Sequence, residues 1–211
     1  MRKTTVVAAL FVALISAPGD APIIDAVGKA LAGEPPNTAP DVVAARVFDQ
    51  DGRLVGPVDV PKVAHPPAEW RRILGPKAFN ILRSKDTEEP FTGTLLENKS
   101  KGVYACAGCS LPLFSSEAKF ESGTGWPSFF RPIASENIVE SADKSGGMVR
   151  TEITCPRCGG HLGHVFDDGP QPTGLRYCLN SAALSFTAAD KTAALADPRA
   201  KQAPPPKDKA K

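Results

Sequence analysis

Two C-x-x-C pairs constrain the fold of this 211-residue chain more than any other feature. The first pair is Cys106 and Cys109, and the second is Cys155 and Cys158. Each short turn can direct two thiolates at one point, and Zn²⁺ prefers four such ligands in a tetrahedron. The pattern therefore predicts one structural zinc ion per chain, bound by these four residues. Because four cysteine ligands leave no open coordination position, any catalysis is expected elsewhere.

Two other uses of the pairs stay open at this point. Oxidising compartments favour disulfides, so the four cysteines could instead form two disulfides. A C-x-x-C turn can also act as a dithiol redox pair, as in a thiol-disulfide oxidoreductase. That motif, however, occurs once and follows a strand in a β-α-β unit, and neither condition holds here. Zinc binding is the favoured interpretation.

The first 19 residues are typical of an export signal. Met1-Arg2-Lys3 is basic, and the short apolar run VVAALFVALI follows it. A membrane-spanning helix needs about 20 apolar residues, whereas a shorter run suits the apolar region of a signal peptide. We therefore expect a signal peptide over residues 1–19 and a periplasmic or otherwise exported protein. An uncleaved membrane anchor over residues 1–17 is the alternative.

Composition describes a folded chain and names no charged partner. The chain is 42% hydrophobic and 23% charged, which excludes a wholly disordered chain and a multi-span membrane protein. Its formal net charge is +2, too small a surplus to predict binding to nucleic acid or to an anionic membrane surface.

Proline is concentrated towards the two ends: nine of the 21 prolines lie in residues 1–67 and four in the last 24 residues. Residues 20–67 are therefore predicted to be a proline-rich linker, with a possible β-hairpin turning at Asp49–Gly52. Residues 188–211 are predicted to be a disordered basic tail. This leaves residues 68–187 for the folded domain.

The segments of residues 68–187 predict a mainly β domain. The domain begins with AEWRRILGPKAFNILR, whose apolar residues recur at helical spacing until Gly75-Pro76 interrupts them, so two short helices are expected. Beyond them, brief apolar segments alternate with turn residues at short intervals. This arrangement favours antiparallel strands over repeated β-α-β units.

The fifth cysteine is the candidate nucleophile. On a strand, alternate positions would place Arg176, Cys178 and Asn180 on one face. The Arg176 cation would stabilise a thiolate, and the Asn180 amide could orient a polar ligand. The less specific interpretation is that Cys178 is an unpaired, buried small hydrophobe.

Two further segments supply candidate site residues. His161 and His164 are predicted to be proton donors or orienting groups, with Asp168 supporting them, although they could instead be structural residues near the zinc. Trp126 follows a glycine-rich stretch and precedes Pro127, which suits a rigid, flat wall for an apolar group. Taken alone, such a segment could equally be a core aromatic cluster.

Three segments resemble the B-type peptide methionine sulfoxide reductases: FTGTLLENKSKGVYACAGCSLPLFSSEAKFESGTGWPSFFRPI, RTEITCPRCGGHLGHVFDDGP and GLRYCLNSAALSF. The similarity extends over about residues 69–187. It implies a β-tent (Mss4-like) fold of two antiparallel sheets with a structural zinc. It also implies reduction of the R epimer of methionine sulfoxide in proteins or peptides, with repair of oxidative damage as the role.

The resemblance further implies roles for individual residues. Cys178 corresponds to the nucleophile that attacks the sulfoxide sulfur and becomes a sulfenic acid. Trp126 corresponds to the aromatic residue that packs against the methyl group of the substrate. The polar active-site positions of the family correspond to His161, His164, Asp168, Arg176 and Asn180, and its zinc ligands to Cys106, Cys109, Cys155 and Cys158.

One position departs from the family pattern. Many members have a resolving cysteine before the tryptophan, whereas this chain has Thr124 there and no sixth cysteine. We therefore expect an external thiol, from a thioredoxin-like protein or a small dithiol, to reduce the sulfenic acid of Cys178. The alternative function is a non-catalytic, zinc-stabilised binding module of the same fold, with Trp126 lining a ligand cage.

Overall fold

The computed structural model describes residues 41–203. Within that range the chain forms eleven strands and one α-helix, α1 (Pro67–Ser84). In chain order the strands are β1 (Val42–Phe48), β2 (Leu54–Pro61), β3 (Gly102–Cys106), β4 (Pro112–Ser115), β5 (Lys119–Phe120), β6 (Ser128–Phe129), β7 (Val139–Asp143), β8 (Arg150–Thr154), β9 (His161–Phe166), β10 (Arg176–Leu179) and β11 (Leu184–Ala188).

Two antiparallel sheets form the body of the domain. One has six strands in the order β5-β6-β10-β9-β8-β7, and the other has three in the order β11-β3-β4. Aromatic side chains from both sheets meet in the core: the Phe129 ring lies 4.9 Å from that of Tyr104 and 4.7 Å from that of Phe114. All three side chains are fully buried, and each stabilises the fold by roughly 1.5–3 kcal/mol. The predicted mainly β fold with two antiparallel sheets is confirmed.

Helix α1 consists of two short segments, as the sequence predicts. Pro67 begins the first segment, where its missing N–H costs no helical hydrogen bond. Gly75 then has φ 69° and ψ 171°, a conformation outside the helical region, and Pro76 follows it. The helix buries one face against the sheets through Trp70, Phe79, Ile81 and Leu82.

The β-hairpin predicted as possible at Asp49–Gly52 is present, and residues 41–63 pack on the domain rather than forming an extended linker. Strands β1 and β2 form the antiparallel hairpin whose turn lies at residues 49–52. Alternate side chains of the hairpin, including Val47 and Val60, are buried in the same core cluster as the two sheets. The alternation of buried and exposed residues with a period of two is typical of a strand. In this segment the alternation predicts the structure better than the high proline content does.

The predicted disordered tail over residues 188–211 is wrong for residues 188–203. Short 3₁₀ turns occur at Ala189–Leu195 and Pro198–Gln202. Between these turns, the Asp197 carboxylate forms an ion pair with Arg157. The Arg157 Nη2 lies 3.1 Å from the Asp197 Oδ2, and both side chains are largely buried. This ion pair, a hydrogen bond from the Asp197 N–H to the Phe48 carbonyl and the packing of Ala200 against the core all hold a segment whose composition predicts disorder.

The predicted signal peptide, the alternative membrane anchor and the tail from residue 204 onwards lie outside the described residues. Within residues 41–203, no helix combines the length and the apolar character needed to cross a bilayer.

Candidate active site and metal centre

The two C-x-x-C pairs converge on one point. The Sγ atoms of Cys106 and Cys158 are 3.6 Å apart, those of Cys109 and Cys155 are 3.5 Å apart, and all four lie within 4.8 Å of one another. Four sulfurs at about 2.3 Å from a central zinc would be about 3.8 Å apart, whereas disulfide sulfurs are about 2.05 Å apart. The donor set therefore fits a tetrahedral metal ion.

Electrostatics couples the charge state of these sulfurs to a bound cation. Contacts with the thiols of Cys109, Cys155 and Cys158, together with burial, raise the pKa of Cys106 well above the ordinary thiol value. Four thiolates cannot share this space without a positive charge between them. The cluster is therefore suited to binding a metal rather than to existing as four anions.

The two C-x-x-C turns, residues 106–109 and 155–158, are the first and second knuckles, and they differ in local backbone geometry. In the second, Gly159 has φ 67°, and its N–H donates to the carbonyl of Cys155 at 2.7 Å. In the first, Ser110 rather than Gly108 has a positive φ, 60°. Gly108 instead permits close approach, since a Cβ there would lie 3.4 Å from the Cys158 sulfur and 3.6 Å from Trp70.

Cys178 lies in a separate, small cavity of about 150 Å³. It sits on β10 between β6 and β9, and its register partner on β9 is His164. Residues directly opposite each other share one face of a sheet, so both side chains border the cavity. The cavity is lined by Thr87, Trp126, Arg150, Gly163, His164, Phe166, Cys178, Leu179 and Asn180.

A larger cleft of about 680 Å³ lies elsewhere, between the β1–β2 hairpin and strands β3 and β4. It contains neither Cys178 nor any knuckle cysteine. Its size alone does not make it the reactive site, because chemistry requires a nucleophile and a proton donor in one place.

Opposing effects act on the pKa of the Cys178 thiol. Burial raises its pKa, and the Arg176 charge and the Thr124 hydroxyl, whose Oγ1 lies 3.9 Å from Sγ, offset this only in part. Arg176 is itself held by Asp168 through two 2.8 Å bonds, so Asp168 orients Arg176 and lies outside the cavity lining.

The two histidines are in different environments. His164 borders the cavity, and its Nε2 is 2.9 Å from the Asp143 carboxylate. His161 is only 3% exposed and lies outside the cavity lining, with its Nδ1 2.8 Å from Glu152. Burial lowers the pKa of His161, which keeps the ring neutral at pH 7. Of the two predicted proton donors, the geometry favours His164.

Trp126 and Asn180 are both anchored to one loop. The Trp126 Nε1–H donates to the Glu88 carbonyl at 3.1 Å, and the Glu88 N–H donates to the Asn180 Oδ1 at 3.0 Å. The Asn180 amide also donates to the Leu162 carbonyl at 3.2 Å. Backbone groups thus occupy much of the hydrogen-bonding capacity that the sequence analysis assigned to a ligand.

Sequence reasoning missed several residues of the site. Asp143 binds His164, and the same Oδ2 atom lies 2.7 Å from Nη2 of Arg150. The Arg150 Nε is buried without a hydrogen-bond partner among residues 41–203. Asp143 is 21 residues from His164 along the chain, in a polar segment with no motif of its own. Only the pairing of β7 with β8 and of β8 with β9 brings these residues together.

Comparison with known proteins supports this picture. The model of the SelR domain matches residues 74–188. A Leptospira interrogans protein named peptide methionine sulfoxide reductase MsrB is 57% identical over 118 residues, which cover 56% of this chain and 90% of that protein. Proteins of the same name from two other organisms are similarly close. The Methanosarcina mazei protein is 52% identical over 131 residues, which cover 62% of this chain and 94% of that protein, and the Hahella chejuensis protein is 55% identical over 129 residues, which cover 61% and 93%.

The SelR match covers the candidate sites but not the whole described structure. The hairpin β1–β2 and the turns after β11 lie outside the match, whereas Cys178, Trp126 and all four knuckle cysteines lie inside it. The chain therefore belongs to the SelR-domain family of MsrB-type peptide methionine sulfoxide reductases.

Proposed function

We propose that this chain is a peptide-methionine (R)-S-oxide reductase that returns methionine-R-sulfoxide in proteins or peptides to methionine, with Cys178 as nucleophile. The observation that carries the proposal is the convergence of Cys178, His164 and Trp126 on one cavity of about 150 Å³. Sites for free ligands usually measure roughly 300–1,000 Å³. The smaller cavity suits a single side chain presented by a larger substrate.

The reaction begins with attack of the Cys178 sulfur on the sulfoxide sulfur. The S–O bond of the substrate breaks, the oxygen passes to Cys178, and the products are a methionine thioether and a cysteine sulfenic acid. The oxygen needs a proton as it leaves, and the resting thiol must lose one. Since His164 borders the cavity opposite Cys178, its imidazole is positioned to take the thiol proton and return it to the oxygen.

Trp126 supports recognition of the S-methyl group. Its ring lines the cavity, and its indole N–H is engaged with the Glu88 carbonyl, so the flat apolar face remains for the substrate. The choice of the R epimer follows from the family resemblance. It requires the methyl group and the oxygen to occupy different walls of one cavity.

The second half of the cycle uses an external reductant. Two thiol groups reduce the sulfenic acid to Cys178 thiol and water while becoming a disulfide. The residue beside the Cys178 sulfur is Thr124, which cannot form a disulfide, and the other four cysteines lie together in the knuckles. We infer that the donor is a thioredoxin-like protein or a small dithiol, and that protein repair is the role.

Zinc is the metal that we propose for the knuckles. Four sulfur donors, their spacing and their burial all suit Zn²⁺. Cys106, Cys109, Cys155 and Cys158 would hold the ion, which stabilises the fold when bound. Export, or anchoring through residues 1–17, is proposed from the basic and apolar character of the N-terminal segment.

The test is turnover of separated dabsyl-methionine R- and S-sulfoxides, with dithiothreitol and thioredoxin as alternative donors. We expect reduction of the R epimer only, and labelling of the oxidised enzyme by a sulfenic-acid probe at Cys178. Binding of the sulfoxide without turnover would instead support the non-catalytic module. Metal-free protein that reduces insulin would support the thiol-disulfide oxidoreductase.

A further inference from the structure

Glu88 is a buried acidic residue that is not among the predicted site residues. It lies in the loop between α1 and β3, and its side chain is completely shielded from solvent. A carboxylate is stable in such a position only when hydrogen bonds and opposite charges replace its lost hydration. The partners of Glu88 therefore indicate what it stabilises.

The carboxylate binds the chain immediately after the strand that carries Cys178. Its Oε1 accepts a hydrogen bond from the N–H of Ser181, and its Oε2 accepts one from Ala182 at 3.2 Å. These N–H groups open the turn that follows β10 and would otherwise be unsatisfied. The ammonium of Lys77 on α1 lies 3.7 Å from Oε2 and supplies the balancing charge.

The main chain of the same residue holds two walls of the cavity. Its carbonyl accepts from the indole of Trp126, and its N–H donates to Asn180. Close packing fixes the loop in place, because a Cβ at Gly93 would lie 2.7 Å from the Glu88 carboxylate. One residue thus joins the Trp126 segment, Asn180 and the end of the Cys178 strand.

We propose that Glu88 is a positioning residue for sulfoxide reduction, and that its carboxylate sets the distance between the Trp126 ring and the Cys178 sulfur. The inference rests on the proposed function. A shift of the loop would move the wall that contacts the methyl group relative to the attacking sulfur. Displacement of about 1 Å in such an arrangement can cost on the order of a hundredfold in rate.

Glu88→Gln tests the idea because it keeps the shape of the side chain and removes one acceptor and the charge. We expect kcat/KM for the R-sulfoxide to fall about 10- to 100-fold, with KM raised. We also expect the preference for an S-methyl over an S-ethyl sulfoxide to fall towards one, because the Trp126 wall is no longer held. Glu88→Asp, which retains the charge on a shorter side chain, should recover part of that preference.

Glu89→Gln is the matched control, since Glu89 is adjacent, acidic and exposed. It should retain the KM and the methyl preference of the parent chain. All rates are normalised to zinc content and to reactive Cys178 thiol. A Glu88→Gln protein with unchanged KM and unchanged methyl preference would overturn the inference, whatever its stability. If the parent chain itself reduces no sulfoxide, it is the proposed function that fails.

Discussion

The five cysteines occupy two environments that impose opposite behaviour on the same side chain. In the knuckles, each sulfur has other sulfurs as neighbours, at separations such as 3.5 and 3.6 Å. Around Cys178 the neighbours are a hydroxyl, a guanidinium and an imidazole, and a cavity opens beside the sulfur. A sulfur surrounded by sulfurs binds a metal, whereas a lone sulfur beside proton donors and empty space can react. Burial is common to both regions, so the neighbours make the difference.

The largest effect should come from Cys178→Ser. We expect turnover of the R-sulfoxide to fall by on the order of a thousandfold or more, because a hydroxyl at this position is a far weaker nucleophile towards sulfur. Zinc content and the thermal unfolding midpoint should match those of the parent chain. Alkylation of the single reactive thiol by iodoacetamide should have the same effect. Turnover that persists after the substitution or after alkylation would show that Cys178 is not the reactive sulfur.

Cys155→Ser should disrupt the metal site of the knuckles while leaving the residues around Cys178 unchanged. Structural zinc contributes on the order of 10 kcal/mol in small zinc domains, so loss of a ligand should lower the unfolding midpoint sharply. The measurement is zinc released to a chromogenic chelator, together with thermal unfolding followed by circular dichroism. The idea of a structural metal would have to be abandoned if this variant kept one zinc per chain and its full stability.

Thr124→Cys should let the sulfenic acid of Cys178 react with a thiol of the same chain instead of an external thiol. The Thr124 Oγ1 lies 3.9 Å from the Cys178 sulfur, so a thiol there is within reach of the sulfenic acid. One equivalent of R-sulfoxide, without reductant, should then produce a disulfide detectable by mass spectrometry as a loss of two hydrogens. Thr124→Ser is the matched control and should accumulate sulfenic acid. Sulfenic acid in both variants would contradict the geometry.

Arg176→Gln should slow the reactive thiol without affecting the knuckles. The Arg176 charge lowers the pKa of Cys178 against the effect of burial, so its removal should raise that pKa further. The thiolate fraction at pH 7 falls about tenfold for each unit of increase. Iodoacetamide alkylation measured from pH 6 to 10 should therefore have its midpoint at higher pH than in the parent chain. An unchanged midpoint would show that this cation does not act on the sulfur.

Asp197→Asn should have the smallest effect, a modest loss of stability with faster zinc release. The Asp197 carboxylate binds Arg157, whose Nε donates to the Pro61 carbonyl at 3.3 Å, so the hairpin, the second knuckle and the C-terminal turns meet there. We expect a loss of about 1–3 kcal/mol in stability and faster zinc release, with KM unchanged. Asp190→Asn, at an exposed residue of the neighbouring turn, is the control. Equal zinc release from both variants would show that this ion pair does not support the knuckle.

The fold class and the identity of the sulfur sites could be predicted because their signals are local. A C-x-x-C turn brings two ligands together within four residues, and a strand places Arg176 beside Cys178 whatever surrounds it. The helix break at Gly75 is equally local. The hairpin turn was predictable for the same reason, but its packing and the order of residues 188–203 were not. Val47, Val60 and Asp197 are buried by distant parts of the chain, and composition alone carries no information about such partners.

The amino-acid sequence by itself determined which groups are available: four paired cysteines, one separate cysteine, a tryptophan before a proline, and two histidines close together. Only the tertiary structure decided between the two histidines, because Asp143 and Glu152 arrive from neighbouring strands and direct the rings to different sites. It also determined the burial that raises the pKa of Cys178, since burial depends on every element packed around the sulfur. The chemistry of each side chain is set by its own residue type, whereas the distances between side chains and their exposure to water depend on how the whole chain packs.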